Sequence, residues 1–212
     1  MTVNSTGELI FSPCSCRSII NSFSTMESAG ISPDFLSRCR WESWETPVSW
    51  QKKALQIARD YVEAVERGEK TWFMMAGNPG SGKTQLCTTV FMELLKRGKS
   101  GKFVSWKAFS REAKGNTNDG IEFRKLVDPI KRTPILYIDD FWKGGVSPGD
   151  VHLAFEIINA RYASRKPTIL SSELTIDTIM RGDEAIASRL YEMVGGYYVD
   201  TSQAENWRTR RT

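Results

Sequence analysis

Residues 77–84 read Gly77-Asn78-Pro79-Gly80-Ser81-Gly82-Lys83-Thr84, a complete match to the pattern G-x-x-x-x-G-K-[ST]. The glycines let the chain curl until successive backbone N–H groups point at one spot. That spot lies at the N-terminus of the next helix, where orphan donors and the helix dipole favour an anion. The flanking sequence meets the context such a loop requires. Thr71–Ala76 is an apolar run with the length of a buried strand, and Thr84–Arg97 places Leu86, Val90, Leu94 and Leu95 at helical spacing. In this arrangement Lys83 reaches the β- and γ-phosphates of a nucleotide and the Thr84 hydroxyl ligates Mg²⁺. The cradle as a whole runs from Gly77 through Asn78, Pro79, Gly80, Ser81 and Gly82 to Gln85.

A phosphate loop of this kind needs acids at the end of a neighbouring strand. Ile135-Leu136-Tyr137-Ile138-Asp139-Asp140 supplies them, 56 residues after Lys83. Four apolar residues bury the strand and deliver two carboxylates to its C-terminal edge, where ligands bind in open α/β sheets. Asp139 is expected to hold the Mg²⁺ shell and Asp140 to orient the attacking water. Ser171-Ser172-Glu173 ends the strand after that one, so Ser172 and Glu173 are candidates to face the γ-phosphate. Arg189 falls on a short helix further along, where it reads equally as an arginine finger for a neighbouring subunit's site or as an exposed helical arginine in a surface pair.

The remaining pattern alternates strand and helix. Trp50, Ala54, Ile57, Ala58, Tyr61 and Val65 share one helical face, Phe103–Trp106 reads as a strand, and Ser147-Pro148-Gly149-Asp150 opens a helix with a cap, a proline and an acid. Thr168–Ser172 and Tyr197–Asp200 are further strands. Buried strands between helices predict a parallel sheet covered on both faces. Residues 1–46 are Ser-rich and broken by Pro13 and Pro33, and read as a short appendage, a possible partner-binding segment, with a helix near Cys16–Ser28. Residues 47–212 form the nucleotide-binding domain.

Composition narrows the chemistry. The chain has 212 residues, 40% apolar and 25% charged, as one soluble domain with a short extension would. Its longest apolar run, around Trp72–Ala76, is about six residues, far short of a bilayer span, and no signal segment is evident, so a cytoplasmic protein is expected. One histidine, His152, leaves no room for a His-based zinc centre. Cys39 and Cys87 are isolated and read as buried apolar groups. Residues 96–132 hold eleven Lys/Arg against four Asp/Glu. Such a basic block fits a phosphate backbone, with Lys107, Arg111 and Lys114 as candidate DNA contacts, or equally a solvated rim. Trp106 and Phe109 beside them read better as core than as stacking platforms for bases.

Taken together, these segments resemble the DnaC/DnaI-type helicase loaders within the AAA+ ATPases, with IstB-type ATPases as close relatives. The resemblance covers about residues 28–208. It rests on Ala29-Gly30-Ile31 with Phe35, the phosphate loop, ILYIDDF, Ile158-Asn159-Ala160-Arg161-Tyr162 leading through Arg165-Lys166-Pro167-Thr168 into a strand, Ser188-Arg189-Leu190, and Asn206-Trp207-Arg208. It implies an α/β P-loop NTPase of the AAA+ (ASCE) type, with a parallel five-stranded sheet between helices and no C-terminal lid domain. It implies ATP and Mg²⁺ as cofactors, Arg189 acting in trans within a homo-oligomer, and Arg208 contacting nucleotide in cis. The partners it implies are a DnaB-like replicative helicase and single-stranded DNA. Three departures stand out. Where the family shows Ser-Asn, this chain has Ser172-Glu173, which adds a negative charge near the γ-phosphate and shifts the polar sensor role to Ser172. Cys14 and Cys16 match only half of the family's four-cysteine zinc site, and two thiolates cannot complete a tetrahedral shell, so zinc is not expected. Few residues follow the last strand, as expected for members without a lid.

Three functions share this core: a helicase loader switched by ATP, an IstB-type transposition accessory ATPase, and an adaptor that binds nucleotide without hydrolysing it. A small-molecule kinase fits less well, because the basic block and tail arginines suit an assembly better than a lidded acceptor pocket.

Overall fold

The computed structural model describes residues 2–3, 9–10, 15–144, 146–207 and 209, with side chains from Ile20 onward. Two-residue strands β1 (Thr2–Val3) and β2 (Leu9–Ile10) pair antiparallel. Helices α1 (Ser15–Ser28) and α2 (Pro33–Ser37), a 3₁₀ turn at Trp41–Ser43 and helix α3 (Ser49–Glu66) follow. The alternating part then runs β3 (Trp72–Gly77), α4 (Lys83–Lys96), β4 (Gly101–Ser105), α5 (Trp106–Gly115), α6 (Gly120–Arg132), β5 (Ile135–Phe141), α7 (Pro148–Ala163), β6 (Thr168–Ser172), α8 (Ile176–Gly182), α9 (Glu184–Val194) and β7 (Tyr198–Thr201). No described helix is long and apolar enough to cross a membrane.

Strands β3 to β7 form one parallel sheet in the order β4-β5-β6-β3-β7. The Asp139–Asp140 strand is therefore not adjacent to the phosphate-loop strand, as the sequence had led one to expect; β6 lies between them. Strand alternation divides the core in two. Trp72, Met74, Leu136, Ile138 and Leu170 pack under α5 to α9, whereas Phe73, Met75, Tyr137 and Ile169 pack under α1 to α4. Residues before position 47 contribute to the second layer, where Met26, Leu36 and Trp44 are buried. Local signals behave as read. Ser147 caps α7 in a reciprocal box with Asp150, and Asp119 restarts the basic stretch as α6 by accepting from the N–H groups of Ile121 and Glu122. Cys39 and Cys87 are buried, and burial pushes the Cys39 thiol up to about 12. Cys14 lies outside the described residues, as does the side chain of Cys16.

The start of β6 is fixed by a fully buried arginine. Arg161 donates to Thr168 Oγ1 (2.7 Å) and to the carbonyls of Ile130 (3.1 Å), Thr133 (2.9 Å) and Pro167 (2.6 Å). Burial lowers its pKa to about 10, so it remains charged at neutral pH, with backbone dipoles in place of a counter-ion. One guanidinium fork thus fastens α7, the end of α6 and the entries to β5 and β6. Arg161→Leu leaves these carbonyls unanswered and is expected to cost about 3 kcal/mol or more in urea unfolding, with Arg161→Lys recovering only part. A loss below about 1 kcal/mol would contradict this assignment.

Candidate nucleotide site

The loop between β3 and α4 is held open from both sides. Asn78 donates its backbone N–H to the Thr201 carbonyl (3.2 Å) and its side-chain amide to the carbonyls of Ser202 (2.8 Å) and Ala204 (3.0 Å). Ser81 donates to Asn78 O or Thr201 Oγ1, so the end of β7 grips the loop. Gly80 and Gly82 have φ values of 76° and 86°, and a Cβ on either would collide, with the Asn206 side chain at one and with the Trp44 ring, 2.7 Å away, at the other. Lys83 is 6% exposed, and its Nζ donates to the carbonyls of Gly77 (2.8 Å) and Asn78 (2.7 Å). Burial lowers its pKa, opposed by the charges of Glu173 and Asp140. Gln85 points toward the N-terminal segment and donates to the carbonyls of Arg38 and Ser43 (3.3 Å each).

Asp139 sits at the end of β5, 7% exposed. Its Oδ1 accepts from the Tyr137 hydroxyl (2.8 Å) and from Ser171 Oγ. Burial raises its pKa above 3.8, with the Ser171 and Tyr137 hydroxyls and the nearby Thr84 side chain pulling the other way and Asp140 adding to the rise. Tyr137 was not among the expected site residues, although the two-residue period of a strand puts it on Asp139's face. The sensor expectation fell on Ser172, yet the hydroxyl that meets Asp139 is that of Ser171. Ser172 is fully buried, donates to the Phe141 carbonyl (2.8 Å) and accepts from Leu174 N–H (3.0 Å).

The acidic edge continues through a bulge. Pairing of β5 with β6 slips between Ile138 and Phe141, and Asp140 adopts φ 54° while its N–H donates to Ser171 Oγ (2.9 Å). Its carboxylate and that of Glu173 both meet Lys143, a residue the motif reading did not contain.

Arg189 lies on α9, half-buried. It donates to Asn159 Oδ1 (3.1 Å) and to the Ala185 carbonyl, and its guanidinium sits over the rings of Phe155 (5.1 Å) and Tyr162 (5.5 Å). These partners belong to α7 and α9, not to the phosphate loop or Asp139. Arg208 lies outside the described residues. Lys107, Arg111 and Lys114 come together with Lys143 around a cleft of about 490 Å³. Lys114 is paired there with Asp150 (2.8 Å), while Lys107 and Arg111 are exposed. Trp106 is buried against Phe141 and Phe109 packs on the core, so neither is a free stacking surface.

One carboxylate and one hydroxyl, Asp139 and Thr84, are a hard oxygen pair that suits Mg²⁺, which takes one or two carboxylates and completes its shell with phosphate and water. No cluster of three or more potential metal ligands occurs among the described residues, so a site closed by protein ligands alone is not formed there.

A phosphate loop after β3, paired acids at the end of β5 and a strand inserted between them define a P-loop NTPase of the AAA+ class. A family model described as IstB-like ATP binding protein matches residues 59–195. The phage-like element PBSX protein XkdC of Bacillus subtilis (strain 168) is 33% identical over 156 residues, 70% of this chain and 58% of that protein. The replicative helicase loader DnaC of Escherichia coli (strain K12) is 29% identical over 145 residues, 68% of this chain and 58% of that protein. The crystal structure of the DnaC helicase loader superposes with a TM-score of 0.71 at 22% identity, over 80% of this chain and 99% of that one, a likeness of fold. The chain belongs to the IstB-like ATP-binding protein family, and its match spans somewhat over half the length of these curated relatives.

A raised carboxylate pKa has a definite sign. The native state holds the Asp139 proton more tightly than the unfolded chain, so stability is lost as pH rises through and above 3.8. Asp139→Asn is expected to melt higher than the parent at neutral pH, the gap closing on acidification, while Mg²⁺-dependent nucleotide binding falls. Calorimetric melting against pH checks the first part; an equal or lower Tm at neutral pH contradicts it.

Proposed function

We propose that this chain is a Mg²⁺-dependent ATPase that loads a DnaB-like replicative helicase onto single-stranded DNA, ATP binding and hydrolysis acting as the switch. The observation that carries the proposal is the placement of Arg189. It is a half-exposed cation seated on α7 and α9 with no contact to its own phosphate loop, which suits a finger entering the site of an adjacent copy. Asp139 then holds the metal with Thr84, Asp140 orients water, and Lys83 binds the terminal phosphates. The cleft with Lys107, Arg111 and Lys114 is the proposed track for a nucleic-acid backbone. Similarity to the helicase loader DnaC favours a helicase as partner.

The matched family description also supports a second reading, an IstB-type accessory ATPase that assembles on DNA. Pull-down of a DnaB-like helicase by the full chain in ATP separates the two, since capture is expected only of the loader.

Turnover is expected to rise with single-stranded DNA. Arg189→Ala should lower kcat by about 10³-fold with nucleotide affinity nearly unchanged, and mixing it with Asp140→Asn subunits should restore part of the rate, as a residue acting in trans requires. Tight ATP binding with no turnover, unaltered by either change, would instead identify the non-hydrolysing adaptor.

A further inference from the structure

Lys143 stands between two acids. Its Nζ lies 3.1 Å from Asp140 Oδ2 and 3.1 Å from Glu173 Oε1, joining the end of β5 to the end of β6. Its placement is closely determined. Lys143 N–H donates to the Asp140 carbonyl (3.0 Å), closing a turn in which both Asp140 and Trp142 have positive φ, 54° and 60°. Such backbone persists only where its surroundings hold it. Here Ser171 takes the Asp140 N–H, Ser172 takes the Phe141 carbonyl, and Trp142, 4% exposed, stacks on Phe141 at 5.0 Å. Ser172 also accepts the Leu174 N–H and so fixes the backbone next to Glu173. Two adjacent serines thus set both ends of the ion-pair bridge.

The bridge faces the phosphate cradle. Ser172 pairs with Ala76 across the β6–β3 ladder, so Glu173 leaves β6 beside Gly77, the residue whose carbonyl accepts from Lys83 Nζ (2.8 Å). A terminal phosphate brought against Lys83 enters the field of the Asp140 and Glu173 carboxylates as well as that of Asp139, and like charges repel. ADP carries no terminal phosphate and avoids most of that repulsion.

We infer that Lys143 is a positioning residue that sets the preference of this site for ATP over ADP: its ammonium offsets one of the two negative charges of Asp140 and Glu173 and holds both carboxylates toward the place of the terminal phosphate. The inference rests on the nucleotide site described above. It also explains how a glutamate is accommodated at position 173, since Glu173 and Lys143 enter the site as a neutral pair. An ordinary surface ion pair, of small energetic consequence, predicts no difference between the two nucleotides.

The test measures Mg²⁺-ATPγS and Mg²⁺-ADP affinities of the full chain by competition with a fluorescent ADP. Lys143→Met is expected to weaken ATPγS about tenfold and ADP by no more than about twofold. Lys143→Arg should restore the ratio, and Glu173→Gln added to Lys143→Met should recover much of it. Glu173→Gln alone serves if Lys143→Met does not fold, and should tighten ATPγS relative to ADP. Equal changes for both nucleotides, or none, overturn the inference. A parent chain that binds both nucleotides without turnover sinks the ATPase proposal, and the affinity ratio still decides the role of Lys143.

Discussion

The rest of the site is arranged around a carboxylate held almost out of water without an ion-pair partner among the described residues. Asp139, at the end of β5, is answered by hydroxyls from Tyr137 on its own strand and Ser171 on β6, with the Thr84 side chain on α4 nearby. Neutral donors ease the burial of a charge but do not cancel it, and the carboxylate stays harder to ionise than in water. This requirement gives the strand order a chemical meaning. With β6 between β3 and β5, the serine that meets Asp139 arrives from the adjacent strand, and α4 brings Thr84 from above. The folded chain therefore carries a partly compensated charge at the end of β5, which the proposed divalent-cation site would put to use at a cost in stability.

Legibility in the sequence follows the range of the physics. The phosphate loop was readable because glycine's freedom at positive φ and the helix N-terminus after it are local properties. The Ser147 cap and the apolar strands were readable for the same reason. Tyr137 was within reach, two residues before Asp139 on a strand, but its apolar neighbours made it look like core. The choice between Ser171 and Ser172 was not decidable, since one step along a strand reverses the face and both serines are buried. Lys143 was hidden for another reason. Its approach to Asp140 needs a strained turn, and its approach to Glu173 needs two strands to be brought into register.

The Ile158–Tyr162 segment shows how a pattern recognised by resemblance acquires a physical cause. Phe155, Asn159 and Tyr162 are spaced i, i+4 and i+7, so they share one stripe of α7, and that stripe seats Arg189 through two ring faces and an amide oxygen. Tyr162 in turn donates to Glu192 (2.6 Å) on α9, fastening the two helices beside the seat. Arg161 points the other way, into the sheet edge. A single helical segment thus serves two directions at once.

Those two directions connect the seat of Arg189 to the carboxylates. Helix α7 leads directly into β6, whose entry is fixed by Arg161 on Thr168 and Pro167. The other end of β6 is bonded to Asp139, Asp140 and Phe141 through Ser171 and Ser172. Strand β6 is only five residues long and fully buried, with a strand paired on each side, so it has little freedom to bend. A displacement of α7 would therefore strain the carbonyl bonds of Arg161 or carry β6 with it. The second course moves the serines that orient the acidic edge, whereas the first exposes buried carbonyls and is the more costly.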